Sequence, residues 1–462
     1  MKKMCFTFLA FVATASVFAQ ENVADVKWFK EAKFGLFLHW GLYSQTAGEW
    51  KGRPAKGGEH FMLHERIPLK EYAKIADDFN PTEFNADTWV KLAKSAGMKY
   101  IVYTAKHHDG FAMYDSKSSD YNIISKTKFK REPLAELAVA CRKYGLKLGI
   151  YYSLGRDWED PDVPTNWPTK GGRSNLWDYP NEDAKDLNKY FERKVKPQVK
   201  ELLTNYGKVA IMWFDTYELI NKKQSAELRK MIYDLQPECI VNNRIGGGYG
   251  DFNITEQSLT KSSDKAWEAC ITIGKNWMYS KYDTVWKSNE MLIRNLINIV
   301  AHDGNLLLNI GPMGNGKLPE YGVNSLKGIA GWMSVNGEAI TGTKPWQVAS
   351  EKPDDDALNK DIDKNKSELK DAEFDGTPTE LSPDIYFTSK GNVLYTFLRS
   401  WKADTFVISP LKSSNTVIKD ISLLGSKEKV KFELTSAGLK GQLPKDYRKV
   451  NAIPIYVLKI QL

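Results

Sequence analysis

Cysteine is scarce in this chain, with 4 in 462 residues, and Cys5 falls inside an N-terminal leader. The remaining Cys141, Cys239 and Cys270 form an odd, widely spaced set, which excludes a disulfide framework and leaves room for one bridge at most. Neither a Cys-x-x-Cys pair nor the paired-Asp spacing of a calcium loop occurs. Gly-rich phosphate loops and Ser or Cys nucleophile motifs are missing too, which argues against phosphoryl and acyl transfer. Beyond the leader, no apolar run reaches the roughly 18 residues that span a bilayer, so a soluble mature protein is expected. A concentrated patch of one charge is also lacking. The net charge of +8 falls by two when Lys2 and Lys3 leave with the leader, and the other lysines are scattered among acids. That pattern argues against a nucleic-acid partner.

Tryptophan is plentiful by contrast, with 14. Most tryptophans pack in cores, but their faces also stack on the apolar faces of sugars. Residues 1–19 read as a secretory signal: Lys2-Lys3, an apolar core over 6–17, and Val17-Phe18-Ala19 before Gln20. Export to a periplasmic or extracellular destination is the expectation, or to a lysosome-like compartment in a eukaryotic cell. The length suits a barrel over residues 20–346 followed by a linker and a small β-domain over 347–462.

Histidine is rare, yet two of the 6 stand together as His107-His108 at the end of the apolar run that starts at residue 99. Buried parallel strands read as continuous apolar runs, and barrel enzymes build their sites just past the C-terminal ends. Other runs end the same way. Phe34–Leu38 leads into His39, Lys147–Ser153 into Arg156, residues 208–214 into Asp215, 239–243 into Arg244, and 252–255 into Glu256. Weaker runs follow at 270–273 and 305–310. Helical periodicity lies between most of them, as at 86–96 and at Pro133–Tyr144, which opens on proline and closes on Gly145. Eight strands alternating with helices predict an α/β fold, a (β/α)8-like TIM barrel. A doubly wound sheet would carry a glycine fingerprint that His39-Trp-Gly-Leu-Tyr does not match. Beyond a polar stretch over 350–380, short alternating runs at 384–387, 392–398, Thr405–Ile408, 430–434 and 453–458 predict a C-terminal antiparallel β-sandwich.

The strand ends collect His39, His107, His108, Tyr152, Trp213, Asp215, Arg244 and Glu256. Two carboxylates, neutral hydrogen bonders, a cation and aromatic faces suit a polyhydroxylated ligand, and paired carboxylates are what glycoside hydrolysis needs. Taken singly, Asp215 could equally cap a helix and Glu256 could equally be structural. A secreted carbohydrate-binding protein on a degenerate barrel, and a barrel glycosidase for another sugar, are the alternatives. No cofactor is expected, and no metal either. His60 and His64 stand four apart but Phe61 occupies the place of a catalytic glutamate, and adjacent strand residues such as His107 and His108 should point to opposite faces.

Phe34-Gly-Leu-Phe-Leu-His-Trp-Gly41, Gly48-Glu49-Trp50, Lys106-His-His-Asp-Gly-Phe111 and Gly149-Ile-Tyr-Tyr-Ser153 resemble glycoside hydrolase family 29, the retaining α-L-fucosidases. Trp213-Phe-Asp215, Asn305-Leu-Leu-Leu-Asn-Ile-Gly-Pro312, Gly331-Trp332, Asn336-Gly-Glu338 and Pro345-Trp346 follow in the family's order. The resemblance covers residues 25–346 and implies an exo-acting enzyme that removes terminal α-L-fucose from fucosylated glycans through a covalent intermediate. It implies Asp215 as nucleophile and Glu256 as acid/base, with Glu268 as the competing candidate. It also implies that His39, Glu49, Trp50, His107, His108, Tyr152, Trp213 and Arg244 hold the sugar, with Phe37 and Trp277 against its methyl group. Lys51 departs from the aromatic common at that place, which leaves the outer rim open.

Overall fold

The computed structural model describes residues 24–164, 175–261, 265–351, 384–414 and 416–462. The signal segment lies outside them, as does most of the polar linker. Eight parallel strands form the first sheet: β1 (Phe34–Leu38), β2 (Tyr100–Lys106), β3 (Lys147–Ser153), β4 (Ile211–Asp215), β5 (Ile240–Val241), β6 (Asn253–Glu256), β7 (Trp267–Thr272) and β8 (Gly304–Ile310). Their order is β5-β4-β3-β2-β1-β8-β7-β6. A parallel bridge between Asn242 and Phe252 joins the two outer strands and completes the (β/α)8-type circle. Neither β5 nor β6 exceeds four residues, so the barrel is hydrogen-bonded thinly on that side.

Strand parity sets what faces the barrel interior. Phe37, Val102, Tyr151, Trp213 and Leu307 cluster inside, while Leu36, Leu38, Ile150, Tyr152 and Phe214 pack outward against the helices. The helices form where local chemistry satisfies their ends. Asn85, Asn221 and Ser288 each accept an orphan amide at an N-terminus, and Gly145 closes Pro133–Tyr144 at a left-handed φ of 73°.

The second unit has two antiparallel sheets. β9 (Lys344–Ser350), β10 (Asp384–Lys390), β11 (Val393–Arg399), β13 (Asp420–Leu423) and β16 (Ile455–Gln461) form the first, in the order β9-β10-β11-β16-β13. β12 (Thr405–Ile408), β14 (Lys431–Thr435) and β15 (Gly438–Gln442) form the second. The sandwich expected from the alternating runs is present. Strands β13 and β15, which the alternation did not reveal, complete it, and β9 straddles the compositional change after Trp346. The three central strands of the five-stranded sheet are buried on both faces: Phe387, Leu394 and Leu458 meet the small sheet, while Tyr386, Phe397 and Val457 join the barrel's outer core. Asp384 anchors this junction, accepting from Arg399 Nε at 2.6 Å and from Arg294 at 2.7 Å in a buried network.

Candidate active site

A cavity of about 390 Å³ opens at the C-terminal ends of the barrel strands. Its size suits one monosaccharide rather than a chain. Phe37 and Trp213 form the floor, with ring centroids 5.0 Å apart, and Tyr151 stacks on Trp213 at 5.5 Å. Trp277 stands beside Phe37 and His39, at 6.2 and 5.1 Å. These rings give the cavity an apolar wall against which polar groups converge.

Asp215 is the last residue of β4. Its Oδ1 accepts from Arg244 at 2.7 Å and its Oδ2 from the Tyr151 hydroxyl at 2.8 Å. Burial alone would raise its pKa, but the Arg244 charge, the Tyr151 hydrogen bond and the Arg156 charge outweigh it and hold the carboxyl below its usual 3.8. Asp215 is therefore ionised at neutral pH. Glu256, at the end of β6, is 41% exposed and accepts from the other arm of Arg244 at 2.6 Å. The two carboxylates thus flank one guanidinium.

The histidines present acceptors. His39 Nδ1 lies 2.8 Å from Asn309 Oδ1, while the Asn309 amide nitrogen donates to Trp277 O at 2.7 Å. That orientation puts the ring proton on Nδ1 and leaves Nε2 free to accept from a hydroxyl. The same logic holds for His108, whose Nδ1 lies 2.6 Å from Ser153 Oγ; the serine donates onward to Arg156 O at 2.8 Å. His108 Nε2 then faces Asp215 Oδ2 at 3.6 Å, acceptor against acceptor. Burial lowers the His39 pKa to about 4 and pushes His107 and His108 down as well, so all three are neutral. Among the described residues, His107 Nδ1 is buried without a hydrogen-bond partner. Such a cluster asks for donors, and a sugar supplies hydroxyls.

Several expected residues take other places. Tyr152 points outward and donates to Gln198 at 2.8 Å, because it has the opposite parity to Tyr151, the ring that lines the cavity. Glu49 and Trp50 also lie outside the lining, in a short hairpin with Arg53–Pro54. Glu49 pairs with Lys281 at 2.5 Å and accepts from the Tyr282 hydroxyl at 2.6 Å, and Trp50 packs on Phe61. Glu268 is fully buried below the floor, where it accepts from Trp213 Nε1 at 2.8 Å and from the Tyr100 hydroxyl. Burial, partly offset by these two donors, raises it to about 7.

Glu59, His60 and Arg156 line the cavity although the sequence reading did not single them out for it. Burial pushes Glu59 up to about 7; its own amide and that of Met278 pull it down, and the Glu256 charge raises it further. The signal for this segment was Gly57-Gly58, both at positive φ, which turn the chain into the site just ahead of Glu59. The expectation that His107 and His108 diverge does not hold, because both lie past the end of β2, where strand alternation no longer applies. Their ring centroids are 4.0 Å apart. Nitrogens of His60, His107 and His108 come within 4.8 Å of one another, a donor set able to hold a transition cation. The three cysteines are separate, buried free thiols.

The alpha-L-fucosidase family profile matches residues 13–338, and that of the alpha-L-fucosidase C-terminal domain matches 379–461. The chain belongs to this family. It is 30% identical over 442 residues to the tissue alpha-L-fucosidase of Bos taurus, an alignment covering 90% of this chain and 83% of that one. Alpha-L-fucosidase isoenzyme 1 from Paenibacillus thiaminolyticus superposes with a TM-score of 0.78 at 31% identity, over 95% of this chain and 98% of that one. The unliganded alpha-L-fucosidase AlfC from Lactobacillus casei gives 0.64 at 38% identity, over 68% of this chain and 99% of that one. Membership makes the chain a retaining glycoside hydrolase that removes terminal α-L-fucose. Among the described residues no helix is long and apolar enough to cross a membrane.

Proposed function

We propose that this alpha-L-fucosidase works with Asp215 as nucleophile and Glu256 as acid/base. The observation that carries the reading is the arrangement of both carboxylates about Arg244 at the mouth of a monosaccharide-sized, aromatic-floored cavity. Ionised Asp215 attacks the anomeric carbon of the fucoside. The bond to the leaving oxygen breaks while Glu256 gives that oxygen its proton. Glu256, now a carboxylate, takes a proton from water, and the hydroxide adds to the anomeric carbon as the Asp215 ester bond breaks, regenerating both groups. Arg244 and the Tyr151 hydroxyl hold Asp215 in its ionised, oriented form. His39, His107 and His108 accept from sugar hydroxyls, and Phe37 and Trp277 face the 6-deoxy methyl group.

Two features support Glu256 over Glu268. Glu256 borders the opening, where a leaving group departs, and Glu268 is sealed beneath Trp213. The substrate class is a fucosylated oligosaccharide or glycoconjugate, and we propose export by the N-terminal signal. Proton NMR of the sugar released from an aryl α-L-fucoside tests the reading. α-L-fucose should appear first and mutarotate later; β-L-fucose appearing first would overturn the double displacement.

A further inference from the structure

The cavity holding the sugar has room for one ring, so the saccharide that carries the fucose must run across the top of the barrel. A second, larger cleft of about 880 Å³ opens on that same face. The segments that follow β7 and β8 form it, together with the first turns of the helices Asn289–Ala301 and Glu320–Asn336 into which they lead, at the same ends of the strands that build the active site. Trp277 lines the first cavity and Tyr279 the second. Two peptide steps separate their α-carbons by at most about 7.6 Å, less than the length of a disaccharide.

The lining of this cleft has the chemistry of a neutral sugar site. Trp286, 37% exposed, stacks on Tyr321 with centroids 4.8 Å apart and planes within 16°. Two of its three lysines are ion-paired, Lys281 with Glu49 and Lys317 with Glu83, and the third, buried Lys287, donates to Thr272 O at 3.0 Å. Asp283 accepts from the Asn276 amide at 2.7 Å, and Glu320 is exposed. The amide side chains of Asn289 and Asn324 complete the polar part of the wall. An aromatic platform with neutral hydrogen bonders matches an uncharged saccharide better than a phosphate, an acidic peptide or a lipid.

We propose that the Trp286–Tyr321 cleft binds the neutral saccharide to which the terminal fucose is attached. The inference rests on the fucosidase reading and adds to it a specificity site that acts on natural substrates and is silent on small aryl fucosides. Its contribution is to transition-state affinity for long substrates, through stacking on Trp286 after the fucose is seated.

The test compares wild type with Trp286→Ala, Trp286→Phe and Asn324→Trp, the last narrowing the cleft from its exposed side. Each is assayed on 4-nitrophenyl α-L-fucoside and on whichever of a set of α1-2-, α1-3- and α1-6-fucosylated tri- and tetrasaccharides wild type cleaves fastest. Trp286→Ala and Asn324→Trp should lower kcat/KM on the oligosaccharide about tenfold or more while leaving the aryl fucoside within twofold, and Trp286→Phe should restore most of the loss. Unchanged oligosaccharide kinetics in both blocking variants would overturn the proposal. So would an equal loss on both substrates, which marks a structural role. Wild type that cleaves the aryl fucoside but no oligosaccharide would also overturn it, and wild type that cleaves neither would contradict the fucosidase reading itself.

Discussion

Asp215 and Glu256 bind opposite arms of the same guanidinium, at 2.7 and 2.6 Å. Arg244 lies with its guanidinium 5.3 Å from the centre of the Trp213 ring, and the ring's Nε1–H donates at its edge to buried Glu268 at 2.8 Å. Trp213 is thereby held from below while its face supports the cation that both carboxylates share. The shared cation lets two acidic groups lie in one small cavity, and its charge helps hold the Asp215 carboxyl below its usual range.

Loss of the lower carboxylate should stop the reaction at its first step. Asp215→Ala is expected to lower kcat by about 10³-fold or more, equivalent to about 4 kcal/mol of transition-state stabilisation. Folding should persist, because the residue lies at the end of its strand. Added azide should restore turnover and give a fucosyl azide of inverted anomeric configuration. Near-normal hydrolysis by Asp215→Ala would remove it from the nucleophile's role.

The general acid is distinguished by its dependence on the leaving group. Glu256→Ala should abolish cleavage of fucosylated oligosaccharides, whose sugar alkoxide needs a proton, and cost far less on an activated aryl fucoside. Glu268→Gln should show no such contrast. If Glu268→Gln carried the leaving-group dependence and Glu256→Ala did not, the roles would have to be exchanged.

Much of this arrangement was legible in the sequence, and what was not has physical causes. Apolar runs that stop at polar groups marked six of the barrel strands, the two weaker runs at 270–273 and 305–310 overlap the other two, and Pro133–Tyr144 agreed to the residue. Asp215, Arg244, Glu256, His39, His107, His108, Trp213, Phe37 and Trp277 all line one cavity. Tyr152 does not, and here the information was present but unused. Tyr151 pairs in register with Trp213, and Tyr152 with Phe214, so an inward Trp213 requires an inward Tyr151. Glu59 and His60 were hidden for another reason. They lie on a single 3-10 turn, Gly58–His60, entered through two glycines and too short for any periodicity to report direction. The Glu49–Trp50 hairpin is tied instead to Lys281 and Tyr282 at the rim, a long-range contact that local spacing does not encode.

The parity of Tyr151 and Tyr152 makes a paired prediction. Tyr151→Phe removes a hydrogen bond to a charged group, so kcat/KM should fall about 10- to 100-fold. The acidic limb of the pH profile should shift upward, because that bond helps hold Asp215 ionised. Tyr152→Phe should leave the pH profile alone and lower stability by about 1–3 kcal/mol, since the Gln198 carbonyl oxygen is left buried without its donor. Kinetics across pH and thermal unfolding of both variants check this, and the reverse pattern would mean that Tyr152 faces the sugar.

Glu268 predicts how stability varies with pH. Its folded-state pKa is raised to about 7 from 4.5 by burial. In the fold it keeps its proton between these values while the unfolded chain loses it, so stability is full below about pH 4.5 and falls as pH rises toward about 7. At about 1.4 kcal/mol per pH unit the loss is about 3 kcal/mol. Glu268→Gln, which does not titrate, should flatten the dependence of Tm on pH in that window. An unchanged slope in the variant would assign the effect to other groups.

Covalent trapping tests the central claim most directly. A 2-fluoro-substituted fucosyl fluoride slows both steps by disfavouring the oxocarbenium-like transition state, while its good leaving group keeps the first step the faster one. The enzyme should lose activity with time, and mass spectrometry of its proteolytic peptides should find the fluorofucosyl group on the peptide containing Asp215, attached to that carboxylate. An adduct on another residue, or complete inactivation with no adduct, would contradict the account.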